Sequence, residues 1–179
     1  PVLVRRFPHV MAHMTDATKQ LLDFLLPSSA RLQQKRLDRG ETSHEPLFTE
    51  DDLEGLDHLY LTHTLGAAFD LTGPKGASSV TGEFYSAGHI LGSVGVELTF
   101  QEWGRERRVF YTSDTNMHPQ TIIRGGEYPD RTDVLILETT HGAEAAPEQT
   151  SRPEERARFR KALAEVLARG GTALIPVFV

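Results

Sequence analysis

The chain has 179 residues, 39% hydrophobic and 25% charged, with a formal net charge of −6 and no cysteine. This is the composition of a soluble globular protein, long enough for one sizeable core or for one domain and part of a second. It excludes disulfides and thiolate metal sites, and it argues against a whole-surface field for nucleic acid while leaving room for a local basic cleft.

A cytoplasmic location is the expectation that fits the absence of cysteine, without following from it; no uncharged apolar run is long enough to span a membrane and no signal-peptide pattern opens the chain. The chain opens on "PVLVRRFP" without methionine and stops on the apolar "TALIPVFV". Natural termini are usually polar, so it reads as an excerpt of a longer protein.

In chain order, "TDATKQLLDFLL" reads as a helix capped by Thr15 or Asp16, with Leu21, Leu22, Leu25 and Leu26 as its apolar stripe and Pro27 as its stop. Residues 28–46 are polar and read as a surface helix or loop. "TEDDLEGLDHLY" opens with the capping-box-like pair Thr49 and Asp52, and Leu53, Leu56 and Tyr60 share a helical face. "LTGPKGASS" is turn chemistry. Val94, Val96, Leu98 and Phe100 then alternate with Gly95, Glu97 and Thr99, the pattern of a half-buried strand. "QEWGRER" turns around Gly104 and "RVFYTS" returns as the second strand of a hairpin. "DVLILET" is nearly all apolar, as expected for a strand buried on both faces. Ser151 and Glu154 form a capping box with Pro153 in the first turn. Phe159, Ala162, Leu163, Val166 and Leu167 repeat at helical spacing, Gly170 and Gly171 end the helix, and "TALIPVFV" reads as a strand. The last third is thus expected to be a right-handed β-α-β unit.

Three strand ends carry polar residues. His89 follows "FYSAG", Asp114 ends "VFYTSD" and Glu138 ends "DVLILE". Ligands gather at strand ends in layered α/β sheets. A buried acid there costs roughly several kcal/mol in desolvation unless a metal or hydrogen bonds compensate. The three positions together predict a site.

The run "AGHILGS", "VFYTSDTN", "DVLILETTHG", a helix and "GGTALIPVFV" resembles the metallo-β-lactamase-fold nucleases of the β-CASP group, which includes the endonuclease of the polyadenylation machinery. Order and spacing match the family's AGHxxGS, TGD, E-S-T-Y-G-like and G-G-x-x-L-I-P-x-F segments. Upstream, "HVMAHMTDATKQLLDFLL" and "PLFTEDDLEGLDHL" extend the resemblance to nearly the whole chain. The resemblance implies an α/β (α+β) fold: a fragment of the αββα sandwich, with residues 1–141 the middle of the metallo-β-lactamase-like domain and 142–179 the start of the β-CASP insertion. It implies that His89 is a zinc ligand, that Asp114 is the carboxylate bridging two zinc ions, and that Glu138 opens the β-CASP region and orients a general-acid histidine beyond Val179. Zinc takes imidazole and carboxylate oxygen readily, and two metals about 3.5–4 Å apart activate water and stabilise charge on a phosphodiester.

The activity so implied is a zinc-dependent phosphodiesterase of the full-length protein, cleaving RNA, with DNA as the alternative substrate, through a metal-bound hydroxide. The excerpt alone is expected to be inactive, because the family's H-x-H-x-D-H motif should lie upstream of Pro1. Two further departures are Ser113 in place of the TGD glycine and His141 in place of the tyrosine. Some members of this group have lost metal ligands and act as scaffolds, so a non-catalytic relative with an incomplete metal site is the alternative. A small-molecule hydrolase of the same fold is disfavoured, because such enzymes lack the β-CASP insertion. His9, His13, His44, His58, His63 and His118 read as structural or solvated, and the arginine-rich helix near the C-terminus as a solvated face with internal ion pairs.

Overall fold

The structure is a computed structural model that describes residues 1–73, 79–140 and 151–176. Its chain divides into two compact units, Pro1–Glu138 and Thr139–Val179. No helix among the described residues is long and apolar enough to cross a membrane.

The first unit opens with a short helix, α1 (Val2–Arg6), and a short strand, β1 (Ala12–Met14). The helix α2 (Asp16–Asp38) follows, capped as expected by Thr15, whose hydroxyl accepts from the Thr18 amide at 3.2 Å. Pro27 does not end it. Proline removes one rung of the ladder, yet the inward face built by Leu22, Leu26 and Ala30 repeats every four residues through that point. Burial of this face outweighs the lost rung. Leu21 and Leu25 lie outside it, at 36% and 43% exposure.

The Thr49–Asp52 box forms reciprocally: the Thr49 amide donates to the Asp52 carboxylate at 2.8 Å, and the Asp52 amide donates to the Thr49 hydroxyl at 3.3 Å. The expected helix is nevertheless two 3₁₀ turns, Asp51–Leu53 and Leu56–Leu59, because Gly55 between them takes φ +74. The strand β2 (Tyr60–Thr62) then pairs in parallel with β1.

Among the described residues five strands form the main sheet: β3 (Ala68–Asp70), β4 (Val80–Ser86), β5 (Val94–Glu102), β6 (Arg105–Tyr111) and β7 (Val134–Ile136), in that spatial order. The β5–β6 hairpin turns at Trp103 and Gly104, both in the left-handed region. The alternation along β5 holds, but the deeper face is the one expected to be polar. Gly95 and Glu97 are buried, while Val94, Val96, Leu98 and Phe100 are half-buried. The Phe110 ring fills the place a Gly95 side chain would take, 2.6 Å from its would-be Cβ. Glu97 is 5% exposed and its Oε1 has no hydrogen-bond partner among the described residues. Burial raises its carboxyl above the usual range, with Arg108 opposing and Glu83 reinforcing the shift.

The expectation of a strand buried on both faces fails at β7. Val134, Leu135 and Ile136 are 49–54% exposed, so neither face of β7 is covered among the described residues, where it pairs with β6 alone. In the second unit α3 (Arg152–Ala168) carries the expected capping box, with the Ser151 amide donating to Glu154 at 3.0 Å. Its apolar residues are not a buried stripe: Phe159 and Leu167 are 54% and 58% exposed. The expected following strand is not formed over residues 171–176, and its last three residues, like the turn at 74–78 and His141, lie outside the described residues. The β-α-β unit is therefore not formed among the described residues.

Candidate functional site

The topology brings the three sequence-predicted positions to one edge. β4 is antiparallel to β5, β5 is antiparallel to β6, and β6 is parallel to β7. β4, β6 and β7 therefore run the same way, and His89, Asp114 and Glu138 each follow the end of one of them.

The loops there are stitched by backbone and threonine contacts. The Ala87 carbonyl accepts from the Asn116 amide at 2.8 Å and from the Thr115 hydroxyl at 3.0 Å. This one acceptor ties the His89 loop to the residues after Asp114. The Asn116 carbonyl takes the Gly126 amide at 2.8 Å, and the Ser86 carbonyl takes the Glu127 amide at 2.8 Å. Glu138 joins the same knot: its amide donates to the buried Thr112 hydroxyl at 3.3 Å, and its carboxylate accepts from the Thr115 amide at 3.4 Å. Glu138 thus holds the backbone beside Asp114. On the other side, the Thr18 hydroxyl donates to the Gly92 carbonyl at 3.0 Å, so the first turn of α2 anchors the far end of the His89 loop.

His89 and Asp114 are exposed and Glu138 is half-buried. No hydrogen bond or ion pair to the His89 imidazole or the Asp114 carboxylate occurs among the described residues. Two donors of the kind zinc accepts thus stand unengaged at one sheet edge. They fit part of a zinc centre; among the described residues no set of three such groups converges.

Ser113, the serine that stands where the TGD motif has glycine, has φ +57. A non-glycine residue in the left-handed region costs about 1–3 kcal/mol. Ser113→Gly should therefore raise thermal stability by about 1 kcal/mol, with metal binding by the full-length protein unchanged or tighter. Clearly weaker binding in a metal titration would mean that the serine itself takes part.

Sequence reasoning missed a second constellation. His13 and His63, 50 positions apart, meet at 2.9 Å between Nδ1 and Nε2. Their planes lie 9° apart with centroids at 5.1 Å, so the bond runs in line between ring edges. Both rings lie over Phe69, His63 at 3.8 Å. The signal was absent locally because the pairing depends on the β1–β2 ladder and on the His63 amide donating to the Met14 carbonyl. Burial and then the neighbouring His63 lower the His13 pKa below 6.5, and burial lowers that of His63. The unfolded chain binds these protons more readily. Their contribution to stability is thus full above about pH 6.5 and is lost as pH falls below it. The urea midpoint of His13→Gln should accordingly depend less on pH than that of the wild type between about pH 7.5 and 5. Identical slopes would refute this. The other histidines stand apart: His9, His44, His58 and His118 are all exposed.

A cleft of about 650 Å³ borders the His89 loop at Ile90 and Gly92. Its lining sets Arg124 against the carboxylates of Asp16 and Glu127, so it is not the local basic cleft a phosphate backbone would need.

No family model matches the chain. Relatives do. It is 28% identical over 181 residues to the probable RNase MJ4 of Methanocaldococcus jannaschii, an alignment covering 99% of this chain and 38% of that protein. It is 30% identical over 171 residues to endoribonuclease ysh-1 of Neurospora crassa, covering 92% and 18%. It is 38% identical over 96 residues to Integrator complex subunit 11 of Danio rerio, covering 52% and 15%. The chain thus spans well under half the length of these relatives. With the mixed α+β architecture and the strand-end motifs, they make the chain a homologue of the β-CASP group of metallo-β-lactamase-fold nucleases.

Proposed function

We propose that the protein to which this chain belongs is a zinc-dependent phosphodiesterase that cleaves RNA, and that the chain supplies His89 and Asp114 to its metal centre. The observation that carries this reading is the placing of His89 and Asp114, unengaged, on loops joined through the Ala87 carbonyl. The relatives named as RNase and endoribonuclease support RNA as the substrate. Zinc bound at such a centre supplies Lewis-acid stabilisation of charge on the phosphodiester and lowers the pKa of water.

The chain's own residues do the holding. His89 presents an imidazole from a loop pinned at Gly92, and Asp114 presents two carboxylate oxygens. Glu138 keeps the Thr115 amide, and with it the Asp114 loop, in place.

The test is an assay of the full-length protein on single-stranded RNA and DNA, with and without a chelator. RNA should be cut, chelation should stop cleavage, and added zinc should restore it. RNA left intact by zinc-loaded protein in excess would overturn the reading.

A further inference from the structure

We infer that Gln120 is a positioning residue for His89, an inference that rests on the proposed metal-binding role of that histidine. The Gln120 side-chain amide donates to two consecutive carbonyls, those of Gly88 and His89, at 2.9 Å each. One NH₂ group carries two hydrogens, so both are used, one on each side of the His89 α-carbon. Consecutive carbonyls of an extended chain point in opposite directions. They converge on a single amide here because the chain bends over residues 88–90 and does not continue extended. Gln120 is itself anchored, its backbone amide donating to the Ile123 carbonyl at 2.8 Å.

The need for such a clamp follows from exposure. The His89 ring is not packed, so neighbouring side chains do not fix its direction. Direction must come from the backbone. Immediately after His89, the Ile90 amide donates to the Ser93 hydroxyl at 3.1 Å. Gln120 supplies the restraint at His89 itself. It touches no reacting group and acts only through the loop.

The test uses the full-length protein titrated with cobalt(II), whose visible absorption reports ligand geometry, followed by competition with zinc. Gln120→Leu keeps the bulk and removes both donors. Gln120→Glu keeps the shape and cannot donate when ionised. Each should weaken metal binding about 10–100-fold, the usual effect of removing an outer partner of a ligand, and alter the cobalt spectrum, while the melting temperature stays near that of the wild type. If Gln120→Leu does not fold, Gln120→Glu is decisive. Wild-type affinity and spectrum in a folded variant would overturn the inference. His89→Ala separates the two levels. If it binds cobalt like the wild type, the metal role of His89 has failed and the role of Gln120 falls with it; if it loses the metal while the Gln120 variants keep it, only the positioning role is wrong.

Discussion

Asp114→Ala in the full-length protein is expected to abolish RNA cleavage and to strip metal from the centre, with little change in thermal stability. The two parts have separate origins. Asp114 is exposed and forms no hydrogen bond or ion pair among the described residues, so its removal breaks nothing that holds the loop. Exposed substitutions of this kind usually fall within about 0.5 kcal/mol. The loop is held instead by its neighbours, through the Thr115 hydroxyl and Asn116 amide on Ala87 and the Glu138 carboxylate on the Thr115 amide. Outer partners of a metal ligand alone are worth about 10–100-fold in affinity or activity, and loss of a ligand itself, the role proposed for Asp114, should exceed that. Elemental analysis of the wild type should find about two zinc ions per protein, and fewer in the variant. A variant with full nuclease activity would sink the assignment of Asp114.

Gly88→Ala is expected to be the most destabilising single change in the His89 loop, by about 2–5 kcal/mol. A methyl group at Gly88 would strike the Asn116 carbonyl and stand 2.5 Å from the Gly126 nitrogen and 2.8 Å from the Gly125 carbonyl carbon. These are backbone atoms, themselves joined by the Gly126–Asn116 hydrogen bond, and they have no rotamer to change. Overpacking of this kind costs about 1–3 kcal/mol, and φ +69 adds about 1–2 kcal/mol for an L-residue. Gly55→Ala is the internal control. Gly55 has φ +74 with nothing within 4 Å of a would-be Cβ, so it carries the conformational cost alone. Denaturant unfolding of both variants isolates the clash as the difference. Equal losses would show that the Gly88 contacts open without cost.

The parts of the fold legible in the sequence are those decided within a few residues. The Thr15 cap, the reciprocal Thr49–Asp52 and Ser151–Glu154 boxes and the turn at Gly104 all form as expected, because each is a short-range hydrogen bond or a backbone preference. The misreadings concern what covers a surface. Pro27 is a helix breaker by local rules, but α2 buries a face that continues past it. "DVLILET" reads as doubly buried, but apolar composition does not say what covers a strand's faces, and among the described residues those of β7 stay about half exposed. Glu97 reads as outward-facing because it is charged; sheet register puts it opposite Glu83 and beside Phe110, where it is buried.

The same division runs through the site. By itself, the sequence determined which residues stand at the strand ends, since His89, Asp114 and Glu138 lie within motifs whose order and spacing are local facts. Tertiary structure decided what those positions share. Strand direction brings them to one edge, the Ala87 carbonyl joins two of their loops, and Gln120 reaches back 31 positions to the His89 carbonyl. It also decided that His13 and His63 form a pair. The physical reason is range. Capping and turn chemistry are set by neighbours along the chain, whereas these contacts exist only after sheet pairing has brought distant backbone segments within hydrogen-bond reach.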